Sequence, residues 1–345
     1  LSMVARCERL ISTLVIPRPF DIDQFLAALS TKRGKKIELV PGRPGVDQPC
    51  GMLIRTVEVD YIFYVEDVPP LQAQHTVLHE VGHLLLDHTP SGPDGDGSAL
   101  IARDDVLRLL LPTLSPALVR RILRRTIYDS LHEREAELFA SLVLSRVSGA
   151  RNRHLEGMSA QQDTSEDAEA ISDHPVRRRA WQITQDLAPL WRQLTAEIPQ
   201  VRLHSVDEDS LSPSKRARFR LYRRVLEIRD AQLVLRPYIP PELPGWALAT
   251  ADMRGLDATA ADVLLEAAEL GAALDARRAG RRHHDEVVDL ILPRNRSGTP
   301  DLLAEAHRLV RVGTALRGDP NVIALRRQAE EAVGWTAVGG ARSDR

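Results

Sequence analysis

The sequence predicts an α+β domain followed by an all-α domain. Three observations carry that expectation. Short β-like runs cluster early, at Lys36 to Val40, Met52 to Val57 and Tyr61 to Val65, the last of them rich in β-branched and aromatic residues. A polar, acidic stretch over 147–174 has few large apolar groups and reads as a linker. Beyond it, apolar residues recur at helical spacing. The expected organisation is a first domain over 1–146, a linker over 147–174 and an all-helical regulatory or interaction domain over 175–340.

Residues 4–15 form an amphipathic pattern that Pro17 and Pro19 close. Asp21 can cap a second helix that buries Phe25, Leu26 and Leu29, and Gly34 suits its C-terminus. The three strand candidates follow and predict a small sheet packed on helices. Pro69-Pro70 ends the sheet and introduces a helix from Leu71 to Asp87, with Val77, Leu78, Val81, Leu84 and Leu85 as its apolar face. Thr89 to Gly97 is a loop of Pro, Gly, Ser and Asp. Helices are expected over Ala99 to Leu111, from Ser115-Pro116 onward, and over His132 to Arg146.

In the second half, Trp181, Leu187, Trp191, Leu194 and Ile198 predict one buried helical face, with a kink at Pro189. Leu221, Val225 and Ile228 predict another. Ala260 to Leu274 and Leu302 to Leu316 are further helices, the latter capped by Thr299-Pro300 and ended by Gly318.

Composition narrows the function classes. The chain has 345 residues, 43% of them hydrophobic and 27% charged, as in soluble globular proteins. A formal net charge of −2 gives no bulk attraction for nucleic acid or an anionic membrane. Cys7 and Cys50 form no Cys-x-x-Cys pair, which fits a reducing compartment. The first residues lack a basic-then-apolar leader pattern, and no apolar run approaches the about 20 residues that span a bilayer. A cytoplasmic protein without a transmembrane segment is expected.

The chemistry is concentrated in His79-Glu80-Val81-Gly82-His83. Residues four apart on a helix share a face, so both imidazoles can bind one Zn²⁺. Glu80 lies next round the helix, where a carboxylate can act as base without being a ligand. A third protein ligand is then required, with one position open. Glu133 is the best candidate, because it begins Glu133-x-x-x-Glu137 on a second helix and shares a face with Glu137. Glu137 can accept a hydrogen bond from a ligand histidine and fix its tautomer. Glu135 is the alternative ligand. Tyr128 and His132, just before this helix, are candidates for stabilising the transition state. His75 and His88 flank the motif and are expected to play ordinary surface or backbone-bonding roles. His283-His284-Asp285 is expected not to bind metal, since adjacent histidines point to different faces.

His79-Glu80-Val81-Gly82-His83-Leu84-Leu85-Leu86 with Glu133-x-x-Ala136-Glu137-x-Phe139-Ala140 resembles the ImmA/IrrE family of bacterial metallopeptidases. The resemblance covers residues 1 to 150. It implies a zincin-like fold, with His79, His83 and Glu133 as zinc ligands and Glu80 as catalytic base. It also implies a helix-turn-helix transcriptional repressor as protein substrate, cleaved after a stress such as DNA damage or mobile-element induction. Glu137 departs from the pattern, which usually has Asn or Asp there. The segment from Leu84 to His132 is long.

Phe219 to Asp230 followed by Leu235-Arg236-Pro237-Tyr238 is similar to an uncharacterised helical domain of actinobacterial proteins, commonly the cytosolic tail of a membrane protein. It implies fold and no chemistry. Lys215, Arg216, Arg218, Arg220, Arg223 and Arg224 could face nucleic acid. Asp207, Glu208, Asp209, Glu227 and Asp230 counter them, and a solvated face is expected.

The resulting expectation is a zinc endopeptidase acting on a protein regulator. Two alternatives are a zinc-containing binding module that cleaves nothing and a DNA-sensing regulator whose basic helix gates the site.

Overall fold

The computed structural model describes residues 2–42, 51–65, 68–88, 130–155, 166–203, 208, 211–283 and 301–339. The expected loop at 89–97, the helices from 99 and 115, the Thr299-Pro300 cap, Cys50 and Tyr128 lie outside them.

The described fold is α+β: mostly helical, with one three-stranded sheet. Helix α1 (Met3–Ser12) starts at Ser2, whose side chain accepts from the Ala5 amide. Helix α2 (Ile22–Arg33) starts at Asp21, which accepts from the Gln24 amide at 2.8 Å, and buries Phe25, Leu26 and Leu29. It ends at Gly34, whose φ of 67° is left-handed, as the sequence predicts.

Strands β1 (Lys36–Gly42), β2 (Gly51–Arg55) and β3 (Val59–Val65) are ordered β1-β3-β2. β1 runs parallel to β3, and β2 antiparallel to it, with Leu53 opposite Ile62. Central β3 is covered on both faces. Met52, Ile54, Val59 and Tyr61 form a buried cluster, with Val40 and Phe63 packed on it. Asp60 on β3 is fully buried. Arg33 at 2.7 Å and Lys35 at 2.6 Å neutralise it, which a buried carboxylate requires.

Helix α3 (Pro70–Leu85) begins with Pro at its first position and packs on β2 and β3. Helix α4 (Ser130–Leu155) packs along α3 and also against α1. It is longer than the expected 132–146. Helix α5 (Glu166–Glu197) continues through Pro189. Much of the stretch expected as a linker, 147–155 and 166–174, is therefore helical. Polar composition is no obstacle to a helix.

The remaining helices are α6 (Pro213–Leu235), α7 (Leu243–Met253), α8 (Ala258–Arg278), α9 (Leu302–Gly318) and α10 (Pro320–Gly339). The chain divides into two compact units that do not follow sequence order. One comprises Leu1–Trp181, Leu203–Arg223 and Asn295–Leu302; the other comprises Gln182–Arg202, Arg224–Arg294 and Leu303–Arg345. The division departs from the expected halves 1–146 and 175–340, because Leu203–Arg223 groups with the N-terminal segment. Its Lys215 pairs with Glu8 at 2.9 Å, and its Tyr222 packs on His75.

In the second unit α8 packs against α7 and α10. Leu187, Leu190, Leu194 and Ile198 are buried there, while Trp191 is half-buried. Trp181, expected on that face, is 56% exposed. The buried series through Ala180 and Ile183 runs at spacings of three and four, and Trp181 falls off it by one position. A buried ionic network joins Arg229, Glu266, Glu305 and Arg308. No helix among the described residues is long and apolar enough to cross a membrane.

Candidate metal centre

The site is built where α3 crosses α4. A Cβ added to Gly82 would stand 2.9 Å from Ala136 Cα and 3.1 Å from its carbonyl oxygen. The absent side chain thus lets the two backbones meet. Gly82 lies between His79 and His83, and Ala136 lies one turn after Glu133. The close crossing therefore sets Glu133 opposite both histidines.

Three donor groups converge. His79 Nε2 is 3.0 Å from His83 Nε2 and 3.3 Å from Glu133 Oε2, and His83 Nε2 is 3.7 Å from Glu133 Oε1. Ligand atoms on a tetrahedral ion at about 2.1 Å stand about 3.4 Å apart, so the separations within this triangle of residues are on the scale of a metal site. The His83 side chain is 1% exposed, His79 19% and Glu133 37%, so the cluster opens to solvent on the Glu133 side. His79, His83 and Glu133 could hold a metal ion.

Electrostatics favour a cation. Burial works against a charged His79, yet Glu133, Glu137 and Glu80 more than offset it and push its pKa up to about 10. Burial holds His83 down to about 2, helped by the imidazoles of His79, His88 and His132. The centre therefore combines stored negative charge with a neutral imidazole lone pair, the combination a divalent ion needs.

Glu80 is buried beside β2. Burial raises its carboxyl to about 7; Glu133 adds to the rise, while His79 and the Leu53 amide oppose it. A Cβ on Gly51 would stand 2.8 Å from Glu80 Oε1, so the bare β2 backbone borders this carboxylate.

Each histidine is backed on its Nδ1 side. His83 Nδ1 is 3.0 Å from His88 Nδ1, and His88 Nε2 is 3.1 Å from Glu135 Oε2. Arg6 pairs with Glu135 at 2.7 Å, and the Cys7 thiol donates to the Glu135 carbonyl at 3.8 Å. Burial, then the nearby Glu135, push that thiol up to about 12, against the pull of Arg6. Since Glu135 accepts from His88 Nε2, the tautomer places the His88 lone pair on Nδ1, which accepts from His83 Nδ1 and leaves the His83 Nε2 lone pair directed at the cluster. His88 reaches this position because Asp87 takes a left-handed φ of 54° at the end of α3, and the His88 amide donates back to the His83 carbonyl at 3.0 Å.

On the other side, Glu137 Oε2 lies 3.8 Å from His79 Nδ1, longer than a hydrogen bond. The same oxygen is 3.0 Å from His75 Nε2, while Ser141 Oγ donates to Oε1 at 3.0 Å. His75 Nδ1 is 2.6 Å from Tyr222 Oη. Burial would raise the Glu137 carboxyl, but His75 and His79 hold it well below the usual carboxylate range.

The structure thus brings together His79, Glu80, His83, Glu133 and Glu137 as the sequence suggests. Glu135 pairs with His88 and Arg6 and stands apart from the donor triangle. His132 stacks on His88, with ring centroids 4.2 Å apart. His75 and His88, expected on the surface or bonded to backbone, are 8% and 3% exposed and are engaged with site residues. Tyr222 carries no local signal that would reveal it. Of the basic residues on α6, Lys215 is bound to Glu8, Arg216 to the Glu208 and Leu211 carbonyls, and Arg220 to Glu208. Arg223 lies over Phe219 and Arg224 over Trp191. These cations have internal uses.

Residues 176–318 match a family of unknown function (DUF6545), a segment that includes Tyr222. No curated protein and no solved structure matches the chain.

Proposed function

We propose that the protein is a zinc-dependent endopeptidase with a zincin-like site of the ImmA/IrrE type. One observation carries this reading: His79 Nε2 and His83 Nε2 stand 3.0 Å apart on one side of α3, each within 3.7 Å of a Glu133 carboxylate oxygen, with the non-ligand carboxylate Glu80 in the same motif. His79, His83 and Glu133 would hold the zinc ion, which would supply Lewis acidity toward water and toward a peptide carbonyl.

The chain's own groups do the rest. Glu80 takes a proton from the attacking water and returns it to the leaving amine. A carboxyl raised to about 7 suits both tasks at neutral pH. The Leu53 amide orients Glu80. His88 and Glu137 lie on the Nδ1 sides of the ligand imidazoles, leaving Nε2 for the metal.

Glu80 also favours hydrolysis over a binding module that cleaves nothing. A carboxylate buried with its pKa raised costs stability, and such groups concentrate where chemistry needs them. The engaged cations of α6 weigh against a DNA-sensing role. The Cys7 thiol, free and buried, fits the reducing cytoplasm. A helix-turn-helix repressor is the substrate that the resemblance to ImmA/IrrE suggests.

The test is to incubate the zinc-loaded chain with the repressor encoded beside its gene and identify new termini by mass spectrometry. Cleavage that stops with a chelator and returns with zinc supports the reading. A repressor left intact by zinc-loaded protein, under inducing and non-inducing conditions alike, contradicts the substrate assignment.

A further inference from the structure

His75 and Tyr222 are buried beside the centre, yet the mechanism above assigns neither a task. His75 lies one turn before His79 on α3. Tyr222 lies on α6, 147 positions further along, and is fully buried. Both belong to the same compact unit.

The hydrogen positions follow from the acceptors. Glu137 Oε2 lies 3.0 Å from His75 Nε2, and a carboxylate oxygen accepts, so the imidazole donates from Nε2. The tautomer that satisfies this contact leaves a lone pair on His75 Nδ1, and the Tyr222 hydroxyl, 2.6 Å away, donates to it. Ser141 occupies the other Glu137 oxygen. The carboxylate is thus held from both ends, facing His79 Nδ1. A histidine that gives Nε2 to a metal carries its hydrogen on Nδ1, and a fixed carboxylate on that side sets the ring's orientation.

Resting on the metal reading above, we infer that Tyr222 and His75 are positioning residues of the metal centre. A chain from Tyr222 through His75 to Glu137 orients His79. The segment that matches the family of unknown function therefore supplies part of the site, in addition to any regulatory role.

A rival use of the same atoms exists. His75, His79 and Glu137 lie close enough to hold an ion themselves. Metal stoichiometry separates the two, because positioning predicts one ion per chain and a second site predicts two.

The experiment uses the full chain and needs no substrate. Zinc affinity is measured by competition with a chromophoric chelator, and ligand geometry by the absorption spectrum of the cobalt(II) form. Tyr222→Phe removes one hydroxyl and keeps the packing. It is expected to weaken zinc binding about ten-fold and shift the cobalt bands. His75→Phe should do the same. His75→Gln, which keeps a donor and an acceptor, should recover most of the loss, an effect that packing alone would not give. If Tyr222→Phe does not fold, the two His75 variants decide. Wild-type affinity and an unchanged cobalt spectrum in Tyr222→Phe or His75→Phe, with zinc lost in His79→Ala, would overturn the inference and leave the metal reading intact. Zinc retained by His79→Ala would remove the metal reading itself. A second equivalent of zinc that His75→Phe abolishes would make His75 a ligand and overturn the positioning role.

Discussion

Gly82 on α3 and Ala136 on α4 meet backbone against backbone, and this contact sets the distance between the histidines and Glu133. A methyl group on Gly82 would meet Ala136 Cα at 2.9 Å, which neither helix can relieve by turning a side chain.

Gly82→Ala therefore opposes two effects. Alanine gains about 1 kcal/mol of helix propensity over glycine. Overpacking at a backbone contact costs about 1–3 kcal/mol. Steric cost is expected to win, lowering the thermal midpoint, and zinc affinity should fall with it as Glu133 moves away. A more stable variant with undiminished zinc binding would show that the crossing is looser than described.

His88 gives a second prediction. It accepts from His83 and donates to Glu135, while its ring stacks on His132. His88→Phe keeps a ring and removes both nitrogens. Zinc affinity is expected to fall about 10- to 100-fold, with the far-ultraviolet circular dichroism unchanged. Competition titration with a chelator checks this.

Glu269 on α8 tests the second unit independently of any metal. It is buried, and its Oε1 has no hydrogen-bond partner. Burial, then Glu266, raise its carboxyl to about 8, against the pull of Arg236 and Arg308. The folded state thus holds this proton more tightly than the unfolded chain, where the group titrates near 4.5. Wild-type stability should fall, relative to the always-neutral Glu269→Gln, as pH rises from 4.5 through 8. The variant is expected to be more stable by roughly a few kcal/mol above pH 8, and equal to wild type below pH 4.5. Denaturant melts at the two extremes measure the difference. A constant difference at all pH values would argue against a buried ionisation.

Much of this was legible in the sequence because the determinants are local. Asp21 and Gly34 bracket α2 through contacts within their own turns. His79 and His83 share a face because a helix repeats every 3.6 residues, and the same rule aligns Glu133 with Glu137. The rest depends on contacts that spacing does not encode. His88 returns to His83 through the left-handed turn at Asp87. Tyr222 reaches His75 across 147 positions. Trp181 shows the limit of reading faces by residue type, since a large aromatic one position off the buried series lies in solvent. The stretch over 147–174 shows that polar composition does not by itself decide chain conformation, since 147–155 and 166–174 are helical.

Glu80 tests the central claim most directly. Glu80→Gln keeps the shape of the side chain and removes its basicity, and it leaves His79, His83 and Glu133 unchanged. Zinc per chain and hydrolysis of a confirmed substrate should be measured on the same preparations of wild type and variant. About one zinc in each, with hydrolysis in wild type alone and at least about a hundred-fold loss in the variant, is the predicted result. Hydrolysis by Glu80→Gln at the wild-type rate, or a wild-type chain that hydrolyses while holding no metal, would contradict it.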